Sequence, residues 1–475
     1  MSYDVVVVGG GLAGLSAANR AAELGLSAVV LEQGEAEDYP CNSRWAGGIL
    51  HIAQKDMRGE PTEIQAAIDA LTGETSGTAD KDATDLSPIM SEEADRALTW
   101  MRDQGAKFIK GGVLEFMRWV LAPPRPRRPG LEWKGRGPDV FLRKLTANLE
   151  SRGGKLERGV RARALIIGEG RACGVVVERA GVEERIEGRA VVIADGGFQA
   201  NAELVRQHIS PKPEGLFTRG AGNGYGDGLR MAVDAGARVV GMDRFYGHLL
   251  GREAFNNEKL WPYPTVDAIA TVSVVVDEAG QRRFDEGQGG VFMANNVAAL
   301  DNPLSMAVVF DDAVWTGLAA DNRYPPCMNP AFVNEGGTVY AADSLDELAG
   351  KIGADSAGLS KTVADYNAAV ESGAMDALDP PRATDKFRPR AILTAPFHAI
   401  QLCAGITYTM GGVAIDRDSR VLRDGGDAIG GLYAAGSSTG GIEGGPHAAY
   451  IGGLSKAVIT GMRAAEHVAK HGAES

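Results

Sequence analysis

The chain has 475 residues, length enough for two or more domains, and it is 44% hydrophobic and 23% charged, an ordinary globular balance that supports a sizeable core. A net charge of −13 argues against nucleic acid as the main partner, which needs a basic surface. Four widely spaced cysteines (Cys41, Cys173, Cys327, Cys403) form no CxxC, zinc, iron–sulfur or haem motif, no apolar run reaches the roughly 18 residues of a membrane span, and MSYDVVVVGG has no charged leader, so a cytoplasmic protein with no metal and no membrane span is expected.

In chain order, Asp4–Val8 is a β-branched run suited to a buried parallel strand. Gly9, Gly11 and Gly14 follow as G-x-G-x-x-G, then helical spacing over Leu15–Leu24, then a second buried strand, Ser27–Leu31, ending at Glu32. Gly9 permits the tight turn, Gly11 lets a pyrophosphate approach the backbone, and Gly14 lets helix and strand close up. The helix N-terminus offers N–H donors to phosphate, and an acid ending the second strand accepts ribose hydroxyls, which disfavours a 2′-phosphate. This pattern alone allows NAD or FAD. The basic, proline-rich PPRPRRPGLEWKGRG (123–137) reads as a loop, able to meet an anionic group of substrate or cofactor but solvated by default. Asp139–Glu150 reads as the helix after it, 159–177 and 184–195 as strands on the adenine side, with Val160 placed for backbone contacts to adenine, and 344–370 as scaffold helix. The segment 322–337 reads as a loop, and no neighbour in the sequence suggests a catalytic thiolate at Cys327.

Two later segments decide the cofactor. AVVIADGGFQAN (Ala190–Asn201) and GLYAAGSSTGG (Gly431–Gly441) are short buried strands breaking into glycines, and they resemble the strands that return to the dinucleotide in two-dinucleotide-fold flavoproteins. With VVVVGGGLAGLSAA (Val5–Ala18), SRWAGGI (Ser43–Ile49), GNGYGDGLRMAVDAGA (Gly222–Ala237), QRRFDEG (Gln281–Gly287) and GITYTMGGVAID (Gly405–Asp416), the chain resembles the fumarate reductase/succinate dehydrogenase flavoprotein superfamily along nearly its whole length, closest in pattern to the 3-ketosteroid dehydrogenase-like and tricarballylate dehydrogenase-like branches. The resemblance implies an α/β fold: a Rossmann-like FAD domain (1–243 and 407–475) interrupted by an α+β capping domain (244–406). It places FAD against Gly9, Gly11, Leu12, Ala13, Gly14, Glu32 and Gln33; against Asn42, Ser43, Ala46, Gly47 and Gly48; against Val160, Ala194, Asp195 and Gly196; and against Gly436, Ser437, Gly453, Leu454 and Ser455. Covalent members carry a histidine where this chain has Cys41, so non-covalent FAD is expected.

The departures from the family pattern bear on chemistry. Fumarate reductases hold two carboxylates with arginines and histidines, and a cap arginine delivers the proton; here the corresponding positions hold Gly290, Tyr408 and Tyr450. Phenols replacing cations imply a less charged substrate, such as a cyclic ketone, desaturated or reduced at the C–C bond next to its carbonyl. Ketosteroid dehydrogenase-like enzymes polarise the ketone with one tyrosine and remove the neighbouring proton with another. Tyr408, Tyr450 and His248 are therefore the catalytic candidates, with Tyr246, His398 and His447 as further substrate contacts; a phenol shuttles protons when its pKa is lowered. Glu286 is expected to pair with Arg282 or Arg283. The electron acceptor is open among a quinone, a flavoprotein and oxygen. Two alternatives stand: a polycarboxylate enzyme whose clamp uses Arg127, Arg128 and Arg244, and an electron-transfer subunit with no organic substrate.

Overall fold

The structure, a computed structural model, describes residues 2–72, 86–321 and 327–472. Part of the segment 322–337 discussed above, residues 322–326, lies outside them.

The first strand, β1 (Ser2–Val8), is followed by a helix at Leu12–Glu23 and by β2 (Ala28–Glu32). Val5, Val6, Val7, Val29 and Val30 are fully buried, as befits central strands covered on both faces. β1 lies parallel between β2 and the distant β6 (Val182–Ile193), with Val5 opposite both Ala28 and Ala190. Outside β2 runs β3 (Lys155–Arg158), and β4 (Val160–Gly168) and β5 (Arg171–Arg179) extend from β6 as antiparallel strands. The sheet takes its other edge from far along the chain: β14 (Ala428–Ala434) pairs in parallel with β6, and β13 (Arg420–Leu422) covers β14. The carboxyl ends of β1, β2, β6 and β14 thus open to one side, bringing Gly9, Glu32, Ala194 and Gly436 together where ligands bind open α/β sheets.

A second, six-stranded sheet lies between β6 and β13 in the chain. Its spine is the thirteen-residue β12 (Phe397–Thr409). β12 pairs in parallel with β7 (Leu216–Thr218) and antiparallel with β8 (Phe245–Gly251), β10 (Ala307–Asp311) and β11 (Tyr340–Ala342), while β9 (Val274–Val276) lies beyond β10. Helices at Leu345–Ile352 and Ser356–Ser372 cover this sheet and share a separate apolar core with Val274, Val309 and Ala399. Arg282 Nη2 donates to Glu286 Oε2 at 2.6 Å, both side chains buried, while Arg283 turns to Asp277.

The register of β8 on β12 matters most. Tyr246 faces Tyr408, and His248 faces Gly405. Alternation along β8 puts Tyr246 and His248 on one face, with an irregularity after Tyr246 that re-aims the strand. The last described helix, Gly453–His471, returns to the first: a Cβ on Gly461 would stand 2.5 Å from Ala13 O, so only glycine allows this approach.

Candidate active site

A cavity of about 580 Å³ runs from the Gly9–Gly11 turn and Glu32, past Val160, Ala194 to Gly196, Gly436 and Ser437, to an aromatic chamber at Tyr246, Tyr408 and Tyr450. Of the residues expected at the cofactor, Gly14 and Ser455 do not line it. Gly14 lies under the turn, where a Cβ would stand 2.0 Å from Gly9 O. Ser455 is buried and donates to His51 O at 2.8 Å, pinning the His51 turn to the final helix.

The residues present fit a dinucleotide. A Cβ on Gly11 would meet only Ser43 Oγ at 3.5 Å, which leaves the backbone open to a phosphate, and Gly11 caps the Leu12–Glu23 helix without any side-chain cap of its own. Glu32 accepts from Gly10 N–H at 2.9 Å and Gly34 N–H at 2.8 Å, which fixes the carboxylate and leaves lone pairs for ribose hydroxyls. Burial raises its pKa. Asn42 ties β12 to the 220–223 loop, donating to Thr407 O and accepting from Ala221 N–H, both at 2.8 Å. Cys41 lines the cavity, but burial, then the Glu32 charge, pushes its thiol up to about 11, so it stays protonated at neutral pH.

The aromatic end has a definite order. The Tyr246 and Tyr450 rings stack at 4.0 Å and 21°, and Tyr408 lies 5.5 Å from Tyr246. Tyr246 Oη is 3.0 Å from His248 Nε2, and His248 Nδ1 contacts the Asp267 carboxylate. Asp267 is itself held by Leu249 N–H at 2.9 Å. With Nδ1–H directed at Asp267, Nε2 accepts the Tyr246 proton, a carboxylate–imidazole–phenol chain of the triad kind. Tyr450 Oη accepts from Gly453 N–H at 3.3 Å, at the start of the final helix. Tyr408 instead donates to the Glu443 carboxylate at 3.0 and 3.1 Å, and Glu443 receives Lys456 Nζ at 2.7 Å. Burial holds all three phenols above the usual range; the Glu443 charge adds to this at Tyr408, the Tyr246 and Glu443 charges at Tyr450, and the Arg219 charge opposes it at Tyr246. A phenol of lowered pKa is therefore not what this chamber builds, and the Tyr408 hydroxyl is committed to Glu443.

Two expected substrate contacts lie elsewhere. His398 sits ten residues before Tyr408 on β12, about 33 Å along an extended strand, stacked on Phe310 at 5.5 Å with Nε2 3.2 Å from Asp312. His447 is exposed beside Phe292. The expected clamp arginines also point away: Arg127 donates to Gly111 O, Arg128 pairs with Glu132, and Arg244 donates to Gly445 O and pairs with Asp243. Two other arginines do line the cavity, Arg125 from the proline-rich loop and Arg219 just before the Gly222–Gly228 glycine run. Arg219, Asp267, Glu443, Lys456 and His51 were not read from the sequence. Only Arg219 carried a signal, its place at the mouth of a glycine motif; Asp267 reaches His248 across nineteen residues with no local pattern.

A phosphate-accepting glycine turn at the strand ends, joined to a chamber of proton-carrying side chains, defines a dinucleotide-dependent oxidoreductase site. Residues 4–450 match the FAD binding domain family; the chain belongs to this family of FAD-binding oxidoreductases, and its cofactor is FAD. It is 27% identical over 514 residues to the NADH:acrylate oxidoreductase of Vibrio harveyi, a match taking in 94% of this chain and 48% of that protein, so the chain spans about half of that relative's length. It is 27% identical over 486 residues to the fumarate reductase (cytochrome) of Shewanella frigidimarina, over 99% of this chain and 77% of that one. In fold it is similar to the 3-ketosteroid-Δ4-(5α)-dehydrogenase of Rhodococcus jostii RHA1, solved with 4-androstene-3,17-dione, with a TM-score of 0.73, 21% identity, and 98% and 97% of the two chains covered. No described helix is long and apolar enough to cross a membrane, and no cluster of described residues could hold a metal ion.

Proposed function

We propose that the protein oxidises or reduces a C–C bond α,β to the carbonyl of a cyclic compound, with Tyr246 as the proton-transfer group and Tyr450 as the carbonyl donor. The observation that carries this reading is the stacked Tyr246–Tyr450 pair, one hydroxyl on an imidazole–carboxylate chain and the other on a helix N-terminus. Bound FAD supplies the acceptor, or in reverse the donor, of the hydride at the neighbouring carbon.

For desaturation, Tyr450 donates its O–H to the substrate carbonyl, and the Gly453 amide on its oxygen strengthens that donor. Tyr246 gives its proton to His248 Nε2 as it takes one from the carbon next to the carbonyl. Asp267 holds the tautomer and balances the imidazolium, and Arg219 eases the passing phenolate charge. In the reducing direction the same proton returns from Tyr246 to carbon. Tyr408, tied to Glu443 and Lys456, fixes the chamber wall. The cap expected at 244–406 supplies Tyr246, His248 and Asp267, and 407–475 supplies Tyr450.

Non-covalent FAD is part of the reading, supported by the protonated Cys41 thiol. A cytoplasmic setting is supported by Cys41, Cys173 and Cys403, which form no disulfide. The acceptor is a quinone, a flavoprotein or oxygen. Anaerobic bleaching of the flavin by a saturated cyclic ketone is the test. Bleaching by a polycarboxylate alone would overturn it in favour of the second reading, which Arg125 and Arg219 support. Silence from both, with no reoxidation of reduced enzyme by an enone, would leave an electron-transfer subunit.

A further inference from the structure

Arg125 and Arg219 enter the cavity from opposite parts of the chain, and neither has a carboxylate partner among the described residues. Arg219 Nη1 donates to Thr407 Oγ1 at 2.9 Å, and its Nε is buried with no hydrogen-bond partner among the described residues. Arg125 Nη1 donates to Trp45 O at 2.9 Å, and its guanidinium lies 5.3 Å from the Tyr263 ring centre. The two charges press on one another, and the nearby acid, Asp267, is already taken by His248 and Leu249 N–H. Two cations lacking a counter-charge in one cavity are costly, and an anion relieves both. The surroundings are aromatic: Trp45 lies 6.0 Å from Trp261, and Tyr263 and Tyr246 line the same cavity.

We propose that this chamber selects a ring compound carrying one carboxylate, with Arg219 and Arg125 forming the fork that holds the carboxylate while the ring lies toward Tyr246 and Tyr450. The proposal rests on the ring-carbonyl reading above, and it reconciles a phenol-lined chamber with two unpaired arginines: the carbonyl meets the tyrosines and the anion meets the guanidinia. A fork of two planar guanidinia suits a carboxylate better than it suits a neutral ketone.

Benzoate and benzamide, matched in shape and differing in charge, serve as probes. They are titrated into the FAD-loaded enzyme by calorimetry and by the shift in flavin absorbance, with no turnover needed. Benzoate is expected to bind about tenfold or more tighter. Arg219→Gln and Arg125→Gln should each erase most of that preference, and Arg219→Lys should keep part of it; FAD content and melting temperature report whether each variant is folded. Equal binding of the two probes to the wild-type enzyme, or a preference that survives in both Gln variants, would overturn the proposal. Flavin bleaching by cyclohexanone and by 4-oxocyclohexane-1-carboxylate separates the subsite from the reaction. A lower KM for the acid supports the subsite. Equal KM values would sink the subsite and leave the reaction standing. No bleaching by either, with the benzoate preference intact, would do the reverse.

Discussion

Tyr246 and Tyr450 are equivalent by composition and different by wiring. Tyr246 Oη is hydrogen-bonded to His248 Nε2, the proton path of the proposed reaction, whereas Tyr450 accepts an amide N–H and keeps its own proton free for the cavity. Tyr246→Phe should retain FAD but slow flavin reduction by substrate about 100-fold or more, the scale of positioned acid–base help, measured by anaerobic stopped flow. Tyr450→Phe should cost less, about tenfold, because it removes a polarising donor and leaves the proton path intact. Equal losses in the two variants would contradict the division of roles. His51 offers a test by pH. It is 6% exposed, and burial lowers its pKa from 6.5 to about 4. Its stabilising contribution is therefore whole above 6.5 and is lost as pH falls toward 4, because there the unfolded chain binds the extra proton. At pH 5 this amounts to about 2 kcal/mol. Urea unfolding of wild type should lose about that much more between pH 7 and pH 5 than His51→Gln does. At this scale the sequence made the phenols legible, because Tyr408 and Tyr450 stand where a charged side chain would be expected. It did not make their partners legible: Asp267, Glu443 and Arg219 reach the site by tertiary packing, which leaves no periodic mark.

The glycine turn and its two strands were the most legible elements, since a buried parallel strand is a continuous apolar run and the turn demands glycine. The helix expected over Leu15–Leu24 begins earlier, at Leu12, because the glycine-rich turn is already its first turn. Gly14→Ala should test how closely the two elements are packed. A methyl there would stand 2.0 Å from Gly9 O and 3.0 Å from Val7 Cγ1, and neither backbone nor core strand can yield. The variant should lose about 2 kcal/mol of stability and most of its FAD, seen by thermal melting and by the ratio of flavin to protein absorbance. The proline-rich loop was legible as a loop and misread in detail: Arg127 and Arg128 face outward, while Arg125, whose guanidinium reaches Trp45 O, turns in. Loop side chains follow no repeat, so the spacing of the arginines gave no direction.

For the whole molecule, the two sheets and the cavity between their residues set how the cofactor is held. Trichloroacetic acid or heat should release all the flavin into the supernatant, leaving a colourless pellet, because the Cys41 thiol stays protonated. A yellow pellet would mean a covalent bond. The sequence foretold the return of the C-terminal segment to the first sheet through GLYAAG, a short apolar run ending in glycine. It did not foretell that β12, thirteen residues long, would carry Tyr408 at one end and His398 far off at the other.

Strand β6, which pairs with the central β1, gains its outer neighbour β14 only from residues 428–434, and the first helix gains its close companion only from 453 onward. A chain emerging from the ribosome thus carries its phosphate turn for more than four hundred residues before the wall opposite that turn exists. Cofactor capture is consequently a late event in biosynthesis. Any protein that stalls before the final helix is produced should be colourless, exposed along its first helix, and a substrate for chaperones and proteases rather than a partly active enzyme.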